Sequence, residues 1–223
     1  MSERDYYMNH AKRGIALVIN IRSYDLNPDK LEERVWSAKD VENLEKSLKY
    51  LEFDFELRQN LTKAQIKQEL QRQANNHENH KNSDCFLCVV MSHGNEEKIV
   101  THDNKEISFE EIMAPIKSCS SLFEKPKLFF FQACRGENEM KRPDSGDLTF
   151  EELPSREDFP TQNNNKRQKT LISAESDLLV YNATLRDHLA FGTEKVEPFL
   201  CKACARCLMR HTRIYQLICP YPI

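Results

Sequence analysis

Short, nearly continuous apolar runs separated by amphipathic stretches constrain this chain more than any other feature of its sequence. GIALVIN (14–20), CFLCVVMSH (85–93) and KLFFFQAC (127–134) have the form of strands covered on both faces. FDFELR (53–58) alternates, as a partly covered strand does, and DLLVYNAT (177–184) supplies a final strand. Between the strands the periodicity turns helical. Val41, Leu44, Leu48 and Leu51 recur at the spacing of one helix face, so a helix over 40–51 can lie on the first strand. Thr62 with Gln65, and Ser108 with Glu111, form capping-box pairs that open two further helices. The first carries Ile66 and Leu70 until polarity takes over at NNHENH; the second carries Ile112 and Met113 and is expected to stop at Pro115. Strand, helix and strand in alternation predict an α/β fold with a mainly parallel sheet flanked by helices.

Composition narrows the function classes. With 223 residues, 39 % of them hydrophobic, the chain can bury one sizeable core or two small ones. A net charge of −3 gives no electrostatic ground for nucleic acid or an anionic membrane as partner. No apolar run reaches the roughly 20 residues of a membrane helix, and the N-terminus lacks a signal-like apolar segment, so the expected setting is cytoplasmic. Eight cysteines in that setting point to catalysis, metal binding or burial rather than disulfides. Cys85 and Cys88, three apart in a strand, face opposite sides and are expected to be core thiols, as is Cys119. From Arg135 to about Ser176 the chain is polar, with Pro143, Pro154, Pro160 and an Asn163–Asn165 run, the profile of a linker.

Two strand ends carry chemistry. MSHGN puts His93 and Gly94 just past one buried strand, and QACRG puts Cys134 at the end of the next. In a parallel sheet both emerge at the carboxyl edge, where open α/β folds build their sites. A thiolate there is a strong nucleophile, an imidazole can take its proton, and the Gly94 and Cys134 amides can serve as oxyanion donors. QACRG is also the Q-A-C-[RQG]-G caspase signature, and His93 stands about 40 residues upstream, close to the spacing that accompanies it. With YYMNHAKRGIALVIN, NPDKLEERVWSAKDVENL, VVMSHGN, PKLFFFQACRGE and SDLLVYNATL, the chain resembles the caspase family through Leu185.

That resemblance implies a cysteine endopeptidase cutting after aspartate in programmed cell death, with Cys134 as nucleophile, His93 as general acid/base, and Arg34 and Gln132 binding the P1 carboxylate. A desolvated carboxylate calls for a bidentate guanidinium, which is the physical reason for an arginine there. It further implies maturation by cleavage at Asp144, Asp147 or Asp158, and a division into a large subunit (1–135), an intersubunit linker (136–176) and a partial small subunit (177–223). The short lead before the large subunit resembles effector members. The partners implied are proteins with P1 aspartate, another caspase protomer or an active caspase, and apoptosis inhibitors. No cofactor or metal is implied.

The pattern breaks after the last strand. Where the family carries S-[WF]-R-[ND]-x-x-x-G, this chain reads Ala190-Phe191-Gly192-Thr193, with Gly192 in place of a substrate-binding arginine, and the family's final helix and dimer-forming strand are missing. One explanation is a catalytically impaired homologue that regulates an active relative. Another is a one-nucleotide shift from about Arg186, because codons rebuilt across neighbouring residues can spell S-F-R-N-x-x-x-G-T-F-F-V-Q at the proper spacing. Cys201-x-x-Cys204-x-x-Cys207 with Cys219 resembles iron–sulfur or zinc spacing, but a second ligand pair is lacking and the gap to Cys219 is long.

Overall fold

The computed structural model describes residues 6–25, 31–95, 97–133 and 177–182. Five strands form one parallel sheet: β1 (Ile15–Asn20), β2 (Asp54–Gln59), β3 (Phe86–Met91), β6 (Lys127–Gln132) and β7 (Leu178–Asn182), in the order β2-β1-β3-β6-β7. β4 (Lys98–Val100) and β5 (Glu106–Ser108) pair antiparallel as a separate hairpin.

The pleat divides the core between two helical layers. Ile15, Leu17, Ile19, Phe86, Cys88, Val90, Phe129 and Phe131 face one side, which is covered by α2 (Lys63–Ala74) through Ile66 and Leu70 and by α4 (Phe109–Lys117) through Ile112 and Ile116. Ala16, Val18, Cys85, Leu87, Val89, Leu128 and Phe130 face the other, covered by α1 (Ser37–Tyr50) through Val41, Leu44 and Leu48. Cys85 and Cys88 therefore lie on opposite faces, and burial pushes the Cys85 thiol up to about 12 and the Cys88 thiol upward as well. Neither is a ready nucleophile at neutral pH.

Both capping boxes form: Thr62 and Ser108 each accept from the backbone N–H three residues on, while Gln65 and Glu111 return the bond. One expectation needs correction. α4 does not stop at Pro115 but continues to Lys117. Proline removes one N–H donor, yet Ile116 is fully buried, and the Ser118 backbone N–H and hydroxyl both donate to the Ala114 carbonyl, so packing and capping hold the last turn. α2 ends at Ala74, where the polar NNHENH begins, as expected. A short α3 (His77–Lys81) follows, anchored by His80, which is fully buried, hydrogen-bonds the Gln73 carbonyl oxygen through Nε2 at 2.8 Å and meets Phe86 edge-on.

The chain crosses from β1 to β2 on one side of the sheet and then to β3 on the other, so the strand order reverses between β1 and β3. Such a switch point opens a crevice at the carboxyl ends of the two strands. The segment expected to be a linker, with Asp144, Asp147 and Asp158 as its expected processing sites, and the whole C-terminal tail with its cysteines and Gly192 lie outside the described residues.

Candidate active site

The carboxyl edge of the sheet gathers four of the five residues marked out by sequence. β3 and β6 are adjacent and in register at Met91 and Gln132, so the residues that follow each strand leave side by side. Ser92 N–H donates to the Gln132 carbonyl at 3.1 Å, and Gly94 packs against Ala133: a Cβ added at Gly94 would come within 3.1 Å of Ala133 Cβ and would overlap the Lys98 carbonyl oxygen. Only glycine permits this approach. Cys134 follows Ala133 in the chain and itself lies outside the described residues.

His93 is held by a group that no sequence pattern displays. Its Nε2 donates to the backbone carbonyl of Glu32 at 2.9 Å. A carbonyl can only accept, so a neutral ring in this setting carries its proton on Nε2 and its lone pair on Nδ1. Burial, with a smaller contribution from the positive charge of Arg34, pushes the imidazole below its ordinary 6.5, while the bond to Glu32 pulls the other way.

Arg34 lies two residues beyond Glu32, and its guanidinium donates to Asn20 Oδ1 and the Ile21 carbonyl, both at 3.0 Å, at the end of β1. Asn20 is fully buried and donates in turn to Ser37 Oγ at 3.1 Å. The guanidinium is thus tied to the switch-point strand. Asp40, in the first turn of α1, interacts with Arg34 and accepts a hydrogen bond from the Gln132 amide. Burial raises the Asp40 carboxyl despite both partners. Gln132 Oε1 is left without a hydrogen-bond partner among the described residues.

Arg34, His93, Gly94 and Gln132 therefore share one edge. Asn20, Asp40, Tyr24 and the Glu32 carbonyl are additions from the structure. A polar residue closing a buried strand marked Asn20, and an acid in the first turn of a helix marked Asp40, whereas a backbone carbonyl leaves no mark in a sequence. Among the described residues no group of three or more His, Cys, Asp or Glu is arranged to hold a metal ion, and no helix is long and apolar enough to cross a membrane.

A family model described as the caspase domain matches residues 13–216. The chain belongs to the caspase family. It is 29 % identical over 203 residues to mouse (Mus musculus) caspase-8, covering 85 % of this chain and 40 % of that protein. It is 32 % identical over 188 residues to human (Homo sapiens) caspase-10, covering 83 % of this chain and 33 % of the relative. The chain thus spans well under half the length of these two relatives. Its fold superimposes on the crystal structure of caspase-1 from Spodoptera frugiperda with a TM-score of 0.72 at 26 % identity, covering 94 % of this chain and 75 % of that one. Fold and family membership thus agree with the sequence reading.

Proposed function

We propose that this chain is a caspase-type cysteine endopeptidase that cleaves proteins after aspartate and acts in programmed cell death. The observation that carries the reading is the meeting of Arg34, Gln132 and His93 at the carboxyl edge, beside the Ala133 that precedes Cys134. In this reading Nδ1 of His93 takes the proton of the Cys134 thiol, and the thiolate attacks the peptide carbonyl carbon. The Gly94 and Cys134 amides receive the oxyanion. The imidazolium then returns its proton to the departing amine, leaving a thioester that water hydrolyses. While the ring is charged its Nε2–H remains on the Glu32 carbonyl, which stabilises the cation. Burial lowers His93 most and the Arg34 charge lowers it further; a P1 carboxylate at Arg34 neutralises that second contribution, so a correct substrate strengthens its own base.

Proteins with P1 aspartate, a second caspase protomer and apoptosis inhibitors are the partners of this proposal, as are processing at Asp144, Asp147 or Asp158 and a cytoplasmic setting. The test is titration of the purified chain with a peptidyl aspartyl electrophile. Labelling at Cys134 supports the reading, and no labelling overturns it.

Gly192, where the family places a substrate-binding arginine, favours a second reading: an impaired homologue that pairs with an active caspase. Co-purification with an active caspase without labelling at Cys134 supports that alternative. Coding DNA around 184–193 decides whether a shifted frame restores the arginine.

A further inference from the structure

Tyr24 lies on the segment that leaves β1, and its hydroxyl sits between that segment and the end of β3. His93 N–H donates to Tyr24 Oη at 3.0 Å, and Tyr24 Oη lies 3.0 Å from Ser92 Oγ. The direction of this second bond follows from proton count. Ser92 has one hydroxyl proton, given to the Val100 carbonyl, so Ser92 Oγ accepts and Tyr24 donates. Val100 N–H donates back to the His93 carbonyl at 2.8 Å. The result is a closed circuit: His93 N–H to Tyr24, Tyr24 to Ser92, Ser92 to the Val100 carbonyl, and Val100 N–H to the His93 carbonyl. The Tyr24 ring also lies beside the imidazole, centroids 5.2 Å apart and planes tilted by 36°.

The segment carrying Tyr24 is itself pinned. Arg22 and Ser23 N–H donate to Asn60 Oδ1 at 2.8 and 3.1 Å, Asp25 N–H donates to the His102 carbonyl at 3.0 Å, and His102 Nδ1 lies 2.7 Å from the Ser23 carbonyl. We propose that Tyr24 is a positioning residue for His93, its hydroxyl fixing the histidine backbone and its ring fixing the imidazole, so that Nε2 is held on the Glu32 carbonyl in one ring orientation. The Tyr24 hydroxyl also reaches the Ile21 carbonyl, at 3.4 Å, and a phenylalanine at position 24 leaves the His93 N–H without its acceptor and the Ser92 oxygen without its donor. The charged groups acting on the imidazole are Arg34, which lowers its proton affinity and donates to that same Ile21 carbonyl, and Glu32, which raises it.

This inference rests on the reading of His93 as the base, and the experiment separates the two. The His93 imidazole is titrated by NMR in the full-length Cys134→Ala chain with and without Tyr24→Phe, and kcat and KM on an aspartyl peptide are measured in the chain retaining Cys134. The expected result is a midpoint that falls further below 6.5 in Tyr24→Phe, because a less fixed ring loosens the Glu32 bond that raises it, with kcat down about tenfold, the worth of one hydrogen bond, and KM within about twofold. If Tyr24→Phe does not fold, Ser92→Ala removes the next link and is read by the same titration, with a fall in midpoint again expected. A midpoint and kcat unmoved by the substitution overturn the inference. Absence of any peptidase activity in the parent chain overturns the reading of the base instead, and the titration still decides whether Tyr24 sets the imidazole.

Discussion

At the amino edge of the sheet, Asp84 accepts from the His10 backbone N–H at 3.0 Å, lies 3.0 Å from His10 Nδ1 and 3.1 Å from Arg13 Nη1, and is almost wholly out of water. Lys127, also buried, donates through Nζ to the carbonyls of Leu122 and Lys125, both at 2.9 Å, and Tyr6 donates to Asp177 at 2.7 Å. At the carboxyl edge the same residue types stand differently. Asp40 is raised by burial despite Arg34 and Gln132, His93 is lowered by burial, and Gln132 keeps an oxygen that has no partner among the described residues. Each edge even has one glycine that could not carry a Cβ: Gly14 (φ +133°) against the Cys85 carbonyl, and Gly94 against Lys98 and Ala133. Burial shifts groups at both edges, raising Tyr6 and lowering Lys127 at the first as it raises Asp40 and lowers His93 at the second. The difference lies in the partners: Tyr6, Asp84 and Lys127 face donors and acceptors of the chain itself, whereas Gln132 Oε1 has none among the described residues and keeps capacity for a ligand.

The largest effect that can break this division is at Asp84. Asp84→Ala leaves a buried Arg13 charge without its carboxylate and is expected to cost about 3–5 kcal/mol in urea unfolding, while turnover per folded molecule stays at the parent level. A loss of turnover in the folded fraction would join the two edges into one functional unit. The converse substitution is Arg34→Lys. Lysine keeps the charge but cannot reproduce the forked guanidinium, so kcat/KM on aspartyl peptides is expected to fall about 100-fold, roughly 2.7 kcal/mol, with a unfolding midpoint close to the parent's. A large drop in midpoint with little loss of turnover would place Arg34 with the supporting groups.

The five strands of the sheet and three helices were legible because continuous apolar runs, one-face periodicity and capping boxes each report a local physical demand, and the core honours those demands at Leu44, Ile66, Leu70 and Ile112. α3 was not legible because its five residues, HENHK, contribute a single buried side chain, which is too little for periodicity to show. The β4–β5 hairpin escaped notice for a similar reason, with strands of three residues joined through Asn104 at φ 55°. At the site, His93, Gly94, Arg34 and Gln132 were marked by sequence through their resemblance to family motifs. The partners that hold them were not, since Glu32 acts through its backbone and Tyr24 through a hydroxyl on a segment without periodicity.

A smaller effect is expected where the amino edge ties the first residues to the last described strand. Tyr6→Phe removes the bond to Asp177 at the start of β7 and is expected to cost about 1 kcal/mol in urea unfolding, with no change in turnover. A change in turnover without a change in stability would show that the amino edge reaches the site through β7.

The smallest effect is electrostatic and concerns His93 and Asp40 at the carboxyl edge. In the folded chain the His93 imidazole lies below 6.5, so its neutral form contributes stability that is present above pH 6.5 and lost as the pH falls through the folded value. Asp40 has the opposite sign: its raised carboxyl contributes stability present below 3.8 that is lost as the pH rises through its folded value. The acid limb of kcat/KM, which reports the free protein, is therefore expected below pH 6.5. A bound aspartyl aldehyde at Arg34 should move the His93 midpoint, followed by NMR in Cys134→Ala, upward, because a carboxylate there offsets the guanidinium charge that adds to burial in holding the imidazole down. The asparaginyl analogue offers no charge to offset it and should leave the midpoint in place. An equal shift with both ligands would mean that desolvation rather than Arg34 links substrate to base, and the carboxyl edge would then work by exclusion of water alone.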